Sequence, residues 1–196
     1  MPNIISIAGT SAAASLTGLA SNVTGATWTL SANDAGDSLA HKLTIRNDSV
    51  TDHSAKTAIV VGTGPNGEPQ TKTYNLPGTS ATITSADYWL SVSSVTPSAT
   101  IGTDTMDIGW AADAVSAWYF PKTWPEHFSI GFGCVISGTP TYTVQHSYGD
   151  GAPFNHSVVA AKTANSDGSY SAPIAAIRLL FTAAGTVTLT AIQGGV

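Results

Sequence analysis

The residues 62–67, Gly62-Thr-Gly64-Pro-Asn-Gly67, have the G-x-G-x-x-G spacing of a phosphate-cradling loop and follow the apolar run 58–61. Such a loop binds a dinucleotide only when a helix starts there, so that its free N–H groups face the pyrophosphate. Here Glu68-Pro69-Gln-Thr-Lys-Thr-Tyr74 follows, a strand-like alternation with a proline, so the segment reads as a hairpin turn. Nucleophilic catalysis needs a base held beside Ser or Cys and a third group to orient it. No G-x-S-x-G elbow exists, and the single Cys134 alternates with Phe132 and Ile136, which places its thiol on an apolar face.

The five histidines, at 41, 53, 127, 146 and 156, are dispersed. His146, Asp150 and His156 can meet across one loop, but their spacing matches no metal signature. Asp34, Asp37, Asp48 and Asp52 bracket one strand and suit turns better than calcium, since D-x-D-x-D-G is absent. Glu68 and Glu126 stand beside prolines and offer no opposed acid and base for glycoside hydrolysis. The expectation is a protein that is not an enzyme, with no cofactor and no metal.

Recognition chemistry is better represented. Trp110, Trp118, Tyr119, Phe120, Trp124 and Phe128 fall within nineteen positions, punctuated by Pro121 and Pro125. Alternation cannot bury Trp118, Tyr119 and Phe120 on one face, so this tract is a candidate partner-binding surface. The competing readings are a cap on the core and a sugar platform.

The elements that must position these side chains are strands. Period-two alternation recurs over 39–46, 128–136 and 142–148, and the Ser137-Gly-Thr-Pro140 link makes 128–148 an expected antiparallel hairpin. Further strands are expected at 27–32, 56–61, 70–76, 89–95, 105–109, 115–120, 158–162 and 186–192. Turn signals are read at 33–36, 65–67, 150–151 and 166–168. The apolar stretch 174–181 reads as strand, and 110–118 admits a single helical turn. Residues 9–26 lack bulk and period and read as an arm, ordered against a neighbouring subunit. The expected organisation is an N-terminal strand and arm over 1–26, then one domain over 27–196. The fold class is all-β: an antiparallel β-sandwich or jelly roll of many short strands.

Composition narrows the function. Charged residues are only 10% of the 196, against roughly 25% in ordinary soluble domains, so Ser, Thr, Asn and Gly must cover the surface. A net charge of −5 with scattered Lys and Arg argues against nucleic acid. No apolar run reaches the ~20 residues of a membrane helix, so no membrane is expected. The first residues lack the basic start of a signal peptide.

The tracts 135–148, 163–170, 173–179 and 185–193, with the hairpin 62–73, resemble small virion structural proteins of tailed bacteriophages. The resemblance spans about residues 55–193, fits least around 110–124, and carries no catalytic residues. It implies a β-sandwich or jelly-roll part of a virion, synthesised in the host bacterial cytoplasm. A capsid decoration or cement protein is the leading expectation, bound to the major capsid protein as a homo-oligomer. A neck, collar or tail accessory protein is the alternative, and a carbohydrate-binding β-sandwich using the tryptophans is the second.

Overall fold

The structure, a computed structural model, describes residues 3–122, 128–149 and 151–194. The described residues contain strands and no helix, so the chain is all-β. In chain order the strands are β1 (Asn3–Ser11), β2 (Ser15–Val23), β3 (Ala40–Asn47), β4 (Thr57–Thr63), β5 (Pro69–Asn75), β6 (Thr82–Trp89) and β7 (Ser91–Pro97). There follow β8 (Met106–Val115), β9 (Ser129–Ser137), β10 (Thr141–Ser147), β11 (Phe154–Asn155), β12 (Ser166–Tyr170), β13 (Ala176–Ala183) and β14 (Gly185–Gly194).

They form two compact units. Unit 1 joins residues 1–12 to 115–196, and unit 2 comprises 13–114. This divides the chain differently from an arm followed by one domain.

In unit 1, an antiparallel sheet has the order β1-β14-β9-β12, and a second set of strands runs β11-β10-β13. Alternation explains the burial. Val187, Leu189 and Ala191 of β14 are buried, as are Ile130, Phe132 and Cys134 of β9, while the residues between them face outward. The apolar interior is completed by Tyr142, Val144, Leu179 and Phe181.

The hairpin expected over 128–148 does not form. β9 pairs with β14 and β12, whereas β10 pairs with β13 and β11, so residues 137–141 cross between sheets. Both edges of β9 are already taken. Alternation is blind to this difference, because an arch and a hairpin bury the same residues.

Unit 2 carries β8-β3-β6 with β2 on β8, and a three-stranded sheet ordered β5-β4-β7. Its core contains Leu19, Trp28, Leu43, Ile45, Val60, Trp89, Met106 and Ile108. The expected arm at 9–26 therefore contains the end of β1 and all of β2, whose Leu19, Ala20 and Val23 are buried in this core. Small residues obscured its period because Gly18 lies beneath the Trp110 ring, where a side chain would collide.

Other local expectations also shift. Residues 27–32 form no strand; the Ser31 and Ala32 N–H groups both donate to the Leu19 carbonyl. Residues 110–115 are strand, not a helical turn; beyond Val115 the Ser116 N–H donates to the Leu179 carbonyl and Tyr119 bridges to Ile177. The 158–162 segment makes one bridge, Lys162 to Tyr142, and is bent at Ala161 with φ of 50°. The 166–168 turn signal lies inside β12. Residues 174–181 supply β13, in agreement with their apolar, β-branched composition.

Candidate functional site

The glycine-rich loop is a turn. β4 and β5 pair through it; Gly67 N–H donates to the Gly64 carbonyl and Gly64 N–H to the Glu68 carbonyl, both at 2.9 Å. Gly67 has φ of 81°, the left-handed conformation that glycine adopts without penalty. No helix follows, so its amides are not arranged around a phosphate.

Cys134 is buried, and burial pushes its thiol pKa up to about 11, opposed by a hydrogen bond with Tyr142. Too little thiolate exists near neutrality for nucleophilic work. Asp34 and Asp52 accept the Gly36 and Ser54 N–H groups, each at 2.8 Å, and close local turns. Asp37 accepts from Leu39 and pairs with His41 at 2.7 Å. Asp48 instead joins Arg46 and the buried Asp107, so the four aspartates do not converge. Among the described residues no cluster of three metal-ligating side chains forms.

His146 and His156 do approach one cleft, but Asp150 lies outside the described residues. The His156 ring is fully engaged. Its Nδ1 accepts the Val158 and Val159 N–H groups, and Nε2 donates to the Ser169 carbonyl at 3.3 Å. That tautomer has no lone pair left for a cation.

The aromatic tract is divided. Trp110 belongs to unit 2, half-buried over Gly18, with its indole N–H donating to the Ala13 carbonyl. Trp118, Tyr119 and Phe120 belong to unit 1, and Trp124 lies outside the described residues. Tyr119 exchanges two 2.8 Å backbone hydrogen bonds with Ile177. Two residues beyond Phe120, the buried Gln193 amide grips both the N–H and the carbonyl of Lys122. Phe120 lies between these two clasps and remains 66% exposed. The Trp118 ring is engaged within the unit. The Arg178 guanidinium sits 4.2 Å from its centre, while Arg178 Nε donates to Gln145. Among the described residues of the tract, Phe120 is thus the ring most open to solvent.

A broader surface was missed by reading for aromatics. Register across the four-stranded sheet of unit 1 puts Ile4, Ile192 and Gly131 in one outward row. Ser6, Thr190, Gly133 and Asp167 form the next row, and Ala8, Thr188 and Val135 the third. Ile4, Val135 and Ile192 are exposed, and Asp167 alone among these residues carries a charge. A side chain at Gly131 or Gly133 would meet nothing within 4 Å, so a shallow furrow runs along β9. The signal was present in Thr186-x-Thr188-x-Thr190, but its significance required the neighbouring strands.

No family model matches the chain, and no curated protein or solved structure does.

Proposed function

We propose that the chain is a non-enzymatic structural component of a tailed-bacteriophage virion, a decoration or cement protein that docks as a homo-oligomer on the major capsid protein. The observation that carries this reading is the outer face of the β1-β14-β9-β12 sheet: exposed Ile4, Val135 and Ile192 amid hydroxyls and glycines, with one carboxylate. Such a face loses little by leaving water and gains apolar contact when another protein covers it. Phe120 supplies a further exposed ring on the same unit. The virion context comes from the sequence resemblance, and the charge-poor composition fits an assembled part.

Cryo-electron microscopy of the encoding phage tests the assignment. Hundreds of copies over the shell are expected, whereas roughly a dozen at one vertex would favour the neck or tail alternative. Ile192→Lys and Val135→Lys alter exposed side chains and should abolish attachment while leaving the protein folded. A chain that is monomeric and absent from purified particles defeats the proposal.

A further inference from the structure

Unit 1 also holds a cleft of about 270 Å³, lined by His146, Tyr148, Ser157, Tyr170 and Ser171 among others. Its construction is specific. Tyr170 is buried, and its hydroxyl lies 3.3 Å from His146 Nδ1. His146 is wedged between rings: Tyr170 and Tyr148 meet it edge-on at 5.1 and 5.2 Å, and Phe154 stacks on it at 5.9 Å with 28° between planes. Tyr148 also touches Phe154, at 5.6 Å and 57°, yet remains 62% exposed. Tyr148 is thus an open ring held in place by two others. The same lining offers neutral polar groups, the Ser157 and Ser171 hydroxyls and the Asn155 amide.

We infer that this cleft binds a neutral saccharide, with a sugar ring laid on Tyr148 and its hydroxyls turned toward Ser157, Ser171 and Asn155. Among the described residues, the lining contains no Lys, Arg, Asp or Glu. The His156 tautomer, fixed by two N–H groups at Nδ1, is uncharged. Among these residues a phosphate or carboxylate would find no cation and an ammonium group no anion. What remains is a ligand with an apolar face and a hydroxylated rim in one small molecule. The C–H face of a pyranose carries slight positive charge and meets the negative face of an aromatic ring. The cleft is at the small end of ligand pockets, which suits one or two sugar rings. This site is independent of the sheet face, and it moves the sugar platform from the tryptophans to Tyr148.

The test uses the full chain and saturation-transfer nuclear magnetic resonance. Probes are the methyl glycosides of glucose, galactose, mannose and N-acetylglucosamine, with N-acetyltryptophanamide as an aromatic competitor. At least one glycoside is expected to bind with a Kd near ~1 mM. Tyr148→Ala should weaken it at least roughly tenfold. Ala172→Arg, which fills the cleft from an exposed position, should do the same without removing any ring contact. Phe120→Ala should leave binding unchanged. Silence from every glycoside at about 10 mM overturns the inference. So does binding that survives both cleft variants, or tighter binding of the tryptophan amide than of any sugar.

Discussion

Unit 2 contains nine of the twelve acidic side chains and four of the seven lysines and arginines; unit 1 contains three of each. The net charge of −5 therefore belongs to unit 2. So do all six ion pairs among the described residues, among them Arg46 with Asp107 and His53 with Asp104. Polar partners inside unit 1 are mostly neutral: the Gln193 amide on Lys122, the Tyr142 hydroxyl on Ala164 and Ser166, and Gln145 on Asn155, with the buried Arg178 guanidinium held by Gln145 and the Trp118 ring. Two sandwich-like assemblies of similar strand content thus solve the buried-polar problem differently. The sparse, balanced charge of unit 1 leaves its outer sheet face with Asp167 as the single charge in its three outward rows, and both candidate surfaces depend on that sparseness.

Core truncation should have the largest effects, and it tests whether each unit owns its interior. Phe181→Ala removes a fully buried ring from unit 1 and should cost about 3–5 kcal/mol. Met106→Ala in unit 2 should cost about 2–5 kcal/mol. Denaturant unfolding is to be followed separately by reporters in each unit, with Trp89 in unit 2 and Trp118 in unit 1. If Phe181→Ala shifts the Trp89 transition as far as the Trp118 transition, the division into separate cores fails.

The next effects concern the two links that look alike in sequence. Gly67 in the β4–β5 hairpin and Gly138 between β9 and β10 have φ of 81° and 78°. Neither has atoms that an added Cβ would strike. Alanine at either should cost about 1–2 kcal/mol through backbone strain alone. Amide hydrogen exchange separates their roles. Gly67→Ala should expose the paired amides of β4 and β5, whereas Gly138→Ala should loosen β9 and β10 against different neighbours. Matched exchange between β9 and β10, as partners, would restore the hairpin. A smaller loss, about 1 kcal/mol, is expected for Tyr142→Phe, which removes hydrogen bonds of 2.9 and 2.6 Å. Native Cys134 should meanwhile react with thiol reagents far more slowly than in the unfolded chain.

Those links show where the sequence was legible. Strand identity was readable wherever bulky apolar and polar or small residues alternate, as in 186–192 and 39–46, because the period is intrinsic to the pleat. Partner choice was not readable, because pairing depends on which strand edges are already occupied. β6 escaped notice because its central residues are Thr, Ser and Ala, and β2 because Trp110 supplies the bulk above Gly18. The glycine loop and Cys134 were decided by local chemistry and correctly read as turn and buried thiol. The cleft was invisible because Phe154 of β11 and Tyr170 of β12 meet His146 and Tyr148, at the end of β10, only after those strands assemble. Trp110 and Trp118, adjacent in the aromatic tract, belong to different units.

The smallest effect is a pH response that should appear in unit 1 before unit 2. Burial, followed by the neighbouring His156, holds the His146 pKa below its ordinary value of about 6.5. The unfolded chain therefore binds a proton at His146 more readily than the folded chain. The associated stability is intact above about pH 6.5 and is lost as pH falls through the lowered folded value. In unit 2, the Ser54 N–H lowers Asp52, and Thr51, followed by His53, lowers Asp104. Their contribution persists until pH drops below about 3.9, the unfolded carboxylate value, and then disappears. Asp48 and Asp107 share a hydrogen bond that raises Asp48, while Asp107 is lowered, its burial outweighed by the Asn22 N–H and Arg46, so the two act in opposite senses. Between pH 7 and 5, the Trp118 unfolding midpoint should decline, and His146→Gln should flatten that decline. An unchanged slope in His146→Gln would remove His146 as its source and return the acid response to the ionised unit.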